Sequence, residues 1–199
     1  MCYITLGALY HTIGKYSDAE IYFKQALSIW EKTLNRDHPE IAAVYNNIAD
    51  LYRILGKYED SEIIFKKSIT IREKVFGLEN PDLATSLSNL ANLYLMQKRY
   101  KESEELAKQS LNIEEKVLGK NHPAITANLN ILASIYYNQK KYAEAETLCK
   151  NAIKITEKSL GKEHPDLSPS LNNLAVIYRT QGKYEDAELL YKRALLRGA

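Results

Sequence analysis

Cysteine is scarce in this 199-residue chain, with Cys2 and Cys149 the only two. Two thiols cannot build a disulfide framework, and neither stands in a metal-ligand spacing. A disulfide-stapled secreted scaffold is thereby excluded, and a reducing, cytoplasmic location is expected. No apolar run reaches the roughly 18 residues that a membrane span needs, and no charged-then-apolar leader opens the chain, so no membrane partner is expected. The chain begins inside a repeat, and any leader would lie ahead of it. An excess of one charge is also missing: 27 Lys and Arg face 25 Asp and Glu. That balance gives no long-range pull toward nucleic acid or anionic lipid and leaves selectivity to local contacts. Linkers rich in Gly and Ser, and Pro-rich stretches, are absent, so one elongated domain over 1–199 is expected. No phosphate-cradling glycine loop, paired zinc-ligand motif or nucleophile arrangement occurs, so no enzyme, metal or cofactor is expected.

What the chain has instead is a register. Tyr16, Tyr58, Tyr100, Tyr142 and Tyr184 stand 42 residues apart, and so do Pro39, Pro81, Pro123 and Pro165. A fixed spacing of this length marks one supersecondary unit copied along the chain, each copy touching its neighbours. In the last copy Pro165 is expected to open a helix, because proline suits the first helical position. Leu171, Leu174, Ala175 and Tyr178 then recur at helical spacing on one apolar stripe, here named helix A. Gly182 and Lys183 break the pattern, and helix B follows through Tyr184, Ala187, Tyr191, Ala194 and Leu195. Small residues at matching places, Ala175 and Ala187, let the two backbones approach as an antiparallel hairpin. In the complete copies helix B runs on to Gly77, Gly119 or Gly161, or to Asn35 in the first, residues that tolerate the left-handed conformation ending many helices. Each helix B also carries a glutamate four residues before a lysine, from Glu20 and Lys24 to Glu188 and Lys192. Such pairs support an exposed helix, and the strip reads as a solvated convex face rather than a docking strip.

The last helix A reads Leu-Asn-Asn-Leu-Ala-x-x-Tyr from Leu171 to Tyr178, followed by Gly-Lys-Tyr-x-x-Ala-Glu from Gly182 and then Ala-Leu. This unit resembles the tetratricopeptide repeat. The 42-residue spacing, the Glu-Lys pairs Glu73-Lys74, Glu115-Lys116 and Glu157-Lys158, and the His-Pro ahead of helix A resemble the kinesin-light-chain variety of that repeat. The resemblance covers essentially the whole chain and implies an all-α solenoid, a right-handed superhelix of antiparallel helix hairpins. It would hold about five units, the first and last incomplete, at roughly 1–38, 39–80, 81–122, 123–164 and 165–199. It also implies a protein or peptide partner bound along a concave groove lined by the A helices.

The expected groove positions lie off the apolar stripe. The second copy offers Ala43, Asn46, Asn47, Asp50 and Arg53; the third offers Ser88, Asn89, Asn92 and Met96. The fourth offers Asn130, Ser134, Tyr137 and Asn138, and the fifth Asn172, Asn173, Val176 and Arg179. A carboxamide both donates and accepts, so a row of asparagines can grip an extended peptide backbone without reading its side chains. The resemblance assigns that role to Asn47, Asn89 and Asn173, while Ile131 in the fourth copy interrupts the row and suggests an apolar pocket. The competing reading has some asparagines capping loops or bonding neighbouring A helices. Arg53 and Arg179 suit carboxylates, or are plain surface arginines.

Other conspicuous residues take plainer readings. His38, His122 and His164, with Asn80 at the same place, read as helix caps rather than metal ligands. Trp30 shares a column with Arg72, Glu114 and Thr156 and reads as dispensable to the core, as easily an exposed anchor as not. Cys149 reads as a small buried hydrophobe. Pro169 predicts a bend or a late start of the last helix A, with Ser168 as its cap. An alternative function is self-assembly through uncapped terminal helices, where Leu6, Leu9, Leu190 and Leu195 would lie open and make a homo-oligomer. RNA binding ranks last, because the tyrosines hold core places and the basic residues are paired with acids.

Overall fold

The structure, a computed structural model, describes residues 2–195. Met1 and residues 196–199, where the expected first and last units end, lie outside the described residues. These form ten α-helices and no strand: α1 Cys2–Thr12, α2 Tyr16–Thr33, α3 Pro39–Ile54, α4 Tyr58–Phe76, α5 Pro81–Met96, α6 Tyr100–Val117, α7 Thr126–Asn138, α8 Tyr142–Leu160, α9 Leu167–Thr180 and α10 Tyr184–Leu195. A short 3-10 turn, Pro123–Ile125, leads into α7. Odd-numbered helices are the expected A helices and even-numbered ones the B helices.

Helix starts follow the local chemistry. The Nδ1 atoms of His38, His122 and His164 accept from the backbone N–H groups of Glu40, Ala124 and Asp166 at 3.2, 3.2 and 3.3 Å. Asn80 Oδ1 does the same for Asp82 at 2.8 Å. For His38 and Asn80 these are orphan donors of α3 and α5, and for His122 one of the 3-10 turn ahead of α7, as the capping reading expects; Asp166, which His164 bonds, precedes α9. The expectation that each proline opens its helix holds for Pro39 and Pro81 and fails for the other two. Pro123 opens only the 3-10 turn, and α9 starts late, at Leu167, with Asp166 rather than Ser168 at the cap position. Pro169 thereby falls within the first helical turn, where its missing N–H has no intrahelical partner to lose. Gly77 and Gly161 end α4 and α8 with φ of 74° and 100°. Asn35 does not take that conformation. There α2 ends at Thr33 with an extended Leu34 as its cap, and Asn35 Oδ1 instead accepts from Asp37 N at 3.4 Å.

Residue contacts group the chain into two compact units, Met1–Leu93 and Tyr94–Ala199. In the first, α1 pairs with α2 and α3 with α4, α2 stacks on α3, and α1 lies beside α3. Phe23, Ala19 and Ala26 on α2 bury against Val44, Ile48 and Leu51 on α3. Ser61 on α4 sits at the close approach of its hairpin, its hydroxyl donating to the Ala49 carbonyl at 2.7 Å. In the second unit α7 pairs with α8 and α9 with α10, α6 stacks on α7 and α8 on α9, and α7 lies beside α9. Ala133, Ala145, Cys149, Leu171 and Leu174 form its main cluster. Ala175 and Ala187 are buried, as the hairpin packing requires. Burial pushes the Cys149 thiol up to about 12, with the Glu146 charge adding to it, so this cysteine is an inert core residue.

The column of Trp30 corrects one expectation. Trp30 is half-buried and packs between the cluster around Phe23 and a second around Ile41, Ala42 and Ile71. The same place is buried in the later copies too. Arg72 is 7% exposed and donates to Ser86 Oγ at 2.7 Å and to the Asp82 carbonyl. Glu114 is 6% exposed and accepts from Asn128 Nδ2 at 2.8 Å. Thr156 is fully buried. The column therefore belongs to the core, and its variety has a cause on the facing helix. Fourteen residues downstream, Val44 shares a cluster with Trp30, Ser86 bonds Arg72 and Asn128 bonds Glu114, whereas the Thr156 hydroxyl has no partner among the described residues.

Candidate functional site

In the first unit, the exposed side of the A helices carries a charged group and a polar ladder. Asp50 Oδ1 accepts from Arg53 Nε and Nη2 at 2.9 and 2.7 Å, and its second oxygen lies 3.4 Å from His11 Nε2. Arg53 is therefore tied to a carboxylate of its own helix. His11 was missed by the sequence reading, although it stands 42 residues before Arg53 in the same column. Further along, Asn46 is 9% exposed and its carboxamide oxygen accepts from Ser86 Oγ at 3.1 Å and Asn89 Nδ2 at 3.3 Å. Ser86 Oγ also lies 3.1 Å from Ser68 Oγ, whose hydroxyl donates to the Ala42 carbonyl at 2.8 Å. Ser88 is buried. Asn47 and Asn92 are half-buried, and among the described residues neither side chain has a hydrogen-bond partner.

The second unit repeats part of this ladder. Ser170 Oγ donates to Asn130 Oδ1 at 2.9 Å, and Asn173 Nδ2 reaches the Asn130 carbonyl at 3.5 Å. Asn172 and Arg179 are exposed, and Asn172 likewise has no side-chain partner among the described residues. Tyr137 bonds Thr180 through their hydroxyls at 2.9 Å, and its ring lies 5.7 Å from that of Tyr142. Asn138 is held by Ser134 and Tyr100. Between α7 and α9 opens a pocket of about 110 Å³ lined by Ala133, Ser134, Tyr137, Asn138, Asn173, Val176 and Ile177. Ile131, the residue expected to create such a pocket, is buried and does not line it.

The asparagines thus fall into two sets that composition does not distinguish. Asn46, Asn89, Asn130 and Asn173 bridge neighbouring A helices, whereas the side chains of Asn47, Asn92 and Asn172 have no hydrogen-bond partner among the described residues.

On the B helices all five Glu-Lys pairs form, at 2.6 to 2.7 Å. The lysines are exposed, but the glutamates of the inner copies are not simply solvated. Glu20 also accepts from Tyr52 OH at 2.9 Å, Glu104 from Tyr136 OH at 3.3 Å, and Glu146 from Tyr178 OH at 3.3 Å. Each such glutamate bridges to the A helix of the following copy. The partner lysine, more than burial resists it, holds the Glu20, Glu104 and Glu146 carboxyls below the usual range.

Among the described residues no group of three or more His, Cys, Asp or Glu side chains is placed to hold a metal ion, and no helix is long and apolar enough to cross a membrane.

The family model described as tetratricopeptide repeat matches residues 1–74, 40–116, 82–127 and 123–195. Among solved structures, the chain is 27% identical to the nearly identical TPR-like repeats assigned to a kinesin light chain of Podosopora anserina. That match covers 97% of this chain and 92% of the other, with a TM-score of 0.75. BtubC (BKLC) from P. vanneervenii shares the fold at 23% identity and a TM-score of 0.78, over 96% of this chain and 77% of that one. PilF of Pseudomonas aeruginosa shares it at 18% identity and a TM-score of 0.70, over 100% and 76%. No curated protein matches the chain. Repeats of this fold generally mediate protein–protein interaction. With matches along its whole length and the 42-residue register, the chain belongs to the tetratricopeptide repeat family, in its kinesin-light-chain-like form.

Proposed function

We propose that the protein is an interaction scaffold whose A-helix face receives an extended peptide segment of a partner protein. The observation that carries this reading is the pair of carboxamides in the first unit, Asn47 and Asn92, whose side chains have no hydrogen-bond partner among the described residues. Helix interiors disfavour asparagine unless it bonds something, and these two bond nothing among the described residues. Each can donate to a peptide carbonyl and accept from a peptide N–H. In the second unit, by itself, the pocket beside Tyr137 and Asn173 offers a place for one small apolar side chain of a partner segment. Arg179, exposed at the end of α9, suits a carboxylate on such a segment.

The test begins with peptides selected against the protein from a random display library. Each lost neutral hydrogen bond is worth about 0.5–1.5 kcal/mol, so Asn47→Ala/Asn92→Ala should weaken a selected peptide at least about fivefold. Asn46→Ala and Asn130→Ala should lower stability instead. Selected peptides that bind the double variant as tightly as the parent would overturn the assignment.

Self-assembly is the second reading. Leu6 and Leu9 on α1 are 37% and 54% exposed, whereas their counterparts Ile48 and Leu51 on α3 are buried under α2. Leu195 is 74% exposed, but Leu190 packs on the core of its own unit. Sedimentation at increasing concentration tests it: association that Leu6→Glu abolishes supports stacking, and a concentration-independent monomer removes it.

A further inference from the structure

Position 45 departs from the register. Its counterparts Leu87, Leu129 and Leu171 are 2%, 3% and 0% exposed, each filling the core beneath its hairpin. Tyr45 is half-buried instead, because a phenol carries a hydroxyl that needs a partner. That hydroxyl donates to Glu31 at 3.1 Å, and Lys67 Nζ stands 5.7 Å from the ring centroid. The ring separates two hollows of about 360 and 370 Å³, and Arg36 borders both. Residues two apart on a helix point about 200° from each other. The hollows therefore lie on the opposite side of α3 from Asn47, away from the A-helix face described above.

We propose that this outer face of the first unit is a second docking surface, and that it takes an acidic, aliphatic segment of a partner protein. The charge balance selects the sign. Lys66 is paired with Glu62 at 2.6 Å and Glu31 is held by Tyr45. Arg36 and Lys67 have no carboxylate partner among the described residues. Two uncommitted cations thus flank an apolar floor made of the Tyr45 ring, Ile71 and Ile63, the last 55% exposed. Such a surface favours a carboxylate carried beside a branched apolar side chain, because the guanidinium and ammonium groups attract the first while the floor covers the second. The two hollows adjoin across one ring and open outward, a shape that suits a chain segment more than an enclosed small molecule.

Three labelled peptides of about eight residues test this by fluorescence anisotropy: alternating Leu and Glu, alternating Leu and Lys, and alternating Ser and Glu. The Leu/Glu peptide should bind saturably and the other two at least about tenfold more weakly. Arg36→Glu/Lys67→Glu, on exposed side chains, should weaken it by about tenfold or more. Tyr45→Leu, which installs the residue of the other copies and so keeps the fold, should weaken it several-fold. Asn47→Ala/Asn92→Ala should leave it unchanged, which separates this surface from the proposed A-helix site. The proposal is overturned if the Leu/Glu peptide does not saturate, if charge reversal has no effect, or if the Ser/Glu peptide binds equally well.

Discussion

Arg72→Glu should destabilise the first unit by about 3–5 kcal/mol, the range for breaking a buried charge site, and Ser86→Asn should restore much of that loss. Arg72 lies 93% out of water, with Ser86 and the Asp82 carbonyl as its hydrogen-bond acceptors. Burial lowers the pKa of its guanidinium, against the opposing pull of Asp82. A glutamate there faces the same carbonyl with an acceptor in place of a donor. The second unit shows what such a glutamate needs. Asn128 Nδ2 donates to Glu114 Oε2 and to Ser110 Oγ, both at 2.8 Å. Ser68 holds the place of Ser110 one repeat earlier, so an asparagine introduced at position 86 finds both acceptors. A hydrogen bond to a charged group contributes about 1.5–3 kcal/mol, which is the coupling expected between the two substitutions. Urea denaturation of the parent, both single variants and the double variant, followed by helical circular dichroism, gives that coupling from a double-mutant cycle. Additivity to within about 0.5 kcal/mol would refute the claim that this column is read across the helix pair.

The remaining predictions use other columns. Lys98 and Lys140 adopt φ of 60° and 62° where Gly14, Gly56 and Gly182 stand in the sister turns. Relieving a left-handed residue recovers roughly 1–2 kcal/mol, less the 0.5–1 kcal/mol that glycine loses in chain entropy, so Lys98→Gly and Lys140→Gly should each raise stability slightly on thermal melting. A Cβ added at Gly7 would lie 2.6 Å from the Phe23 ring. Gly7→Ala should therefore destabilise by about 1–3 kcal/mol despite its better helix propensity, and should become stabilising in a Phe23→Ala background. Burial raises the Glu114 carboxyl, with the Asn128 hydrogen bond opposing. Its folded pKa thus exceeds the unfolded one, and its protonated form is the stable one: the contribution is full below the ordinary carboxylate value and is lost as pH rises through the elevated value. The advantage of Glu114→Gln over the parent in urea midpoints should be small at pH 4 and grow toward pH 7; a difference independent of pH would count against it.

How legible was this in the sequence? The register alone placed the hairpins, because tyrosine, proline and the small-residue columns recur where packing demands them, and the geometry of Ala49 with Ser61 or Ala175 with Ala187 follows from size. Trp30 was misjudged for an instructive reason. A column holding Trp, Arg, Glu and Thr looks tolerant, and tolerance suggests exposure. Yet three of those residues are matched by one fourteen places on, and the pairs Trp30 with Val44, Arg72 with Ser86 and Glu114 with Asn128 are visible in the sequence once both columns are set side by side. The five Glu-Lys pairs hide a similar second relation, since Glu20 reaches Tyr52 and Glu146 reaches Tyr178 thirty-two residues on. The asparagines resist this kind of reading. Asn46 and Asn47 are the same residue at adjacent places on one helix. Only the facing Ser86 and Asn89 decide that the first is consumed by the fold while the second stays free. In a repeat array the informative unit is therefore the pair of columns across a helix junction. A binding residue is best sought where a polar side chain lacks the partner that its counterparts one repeat away possess.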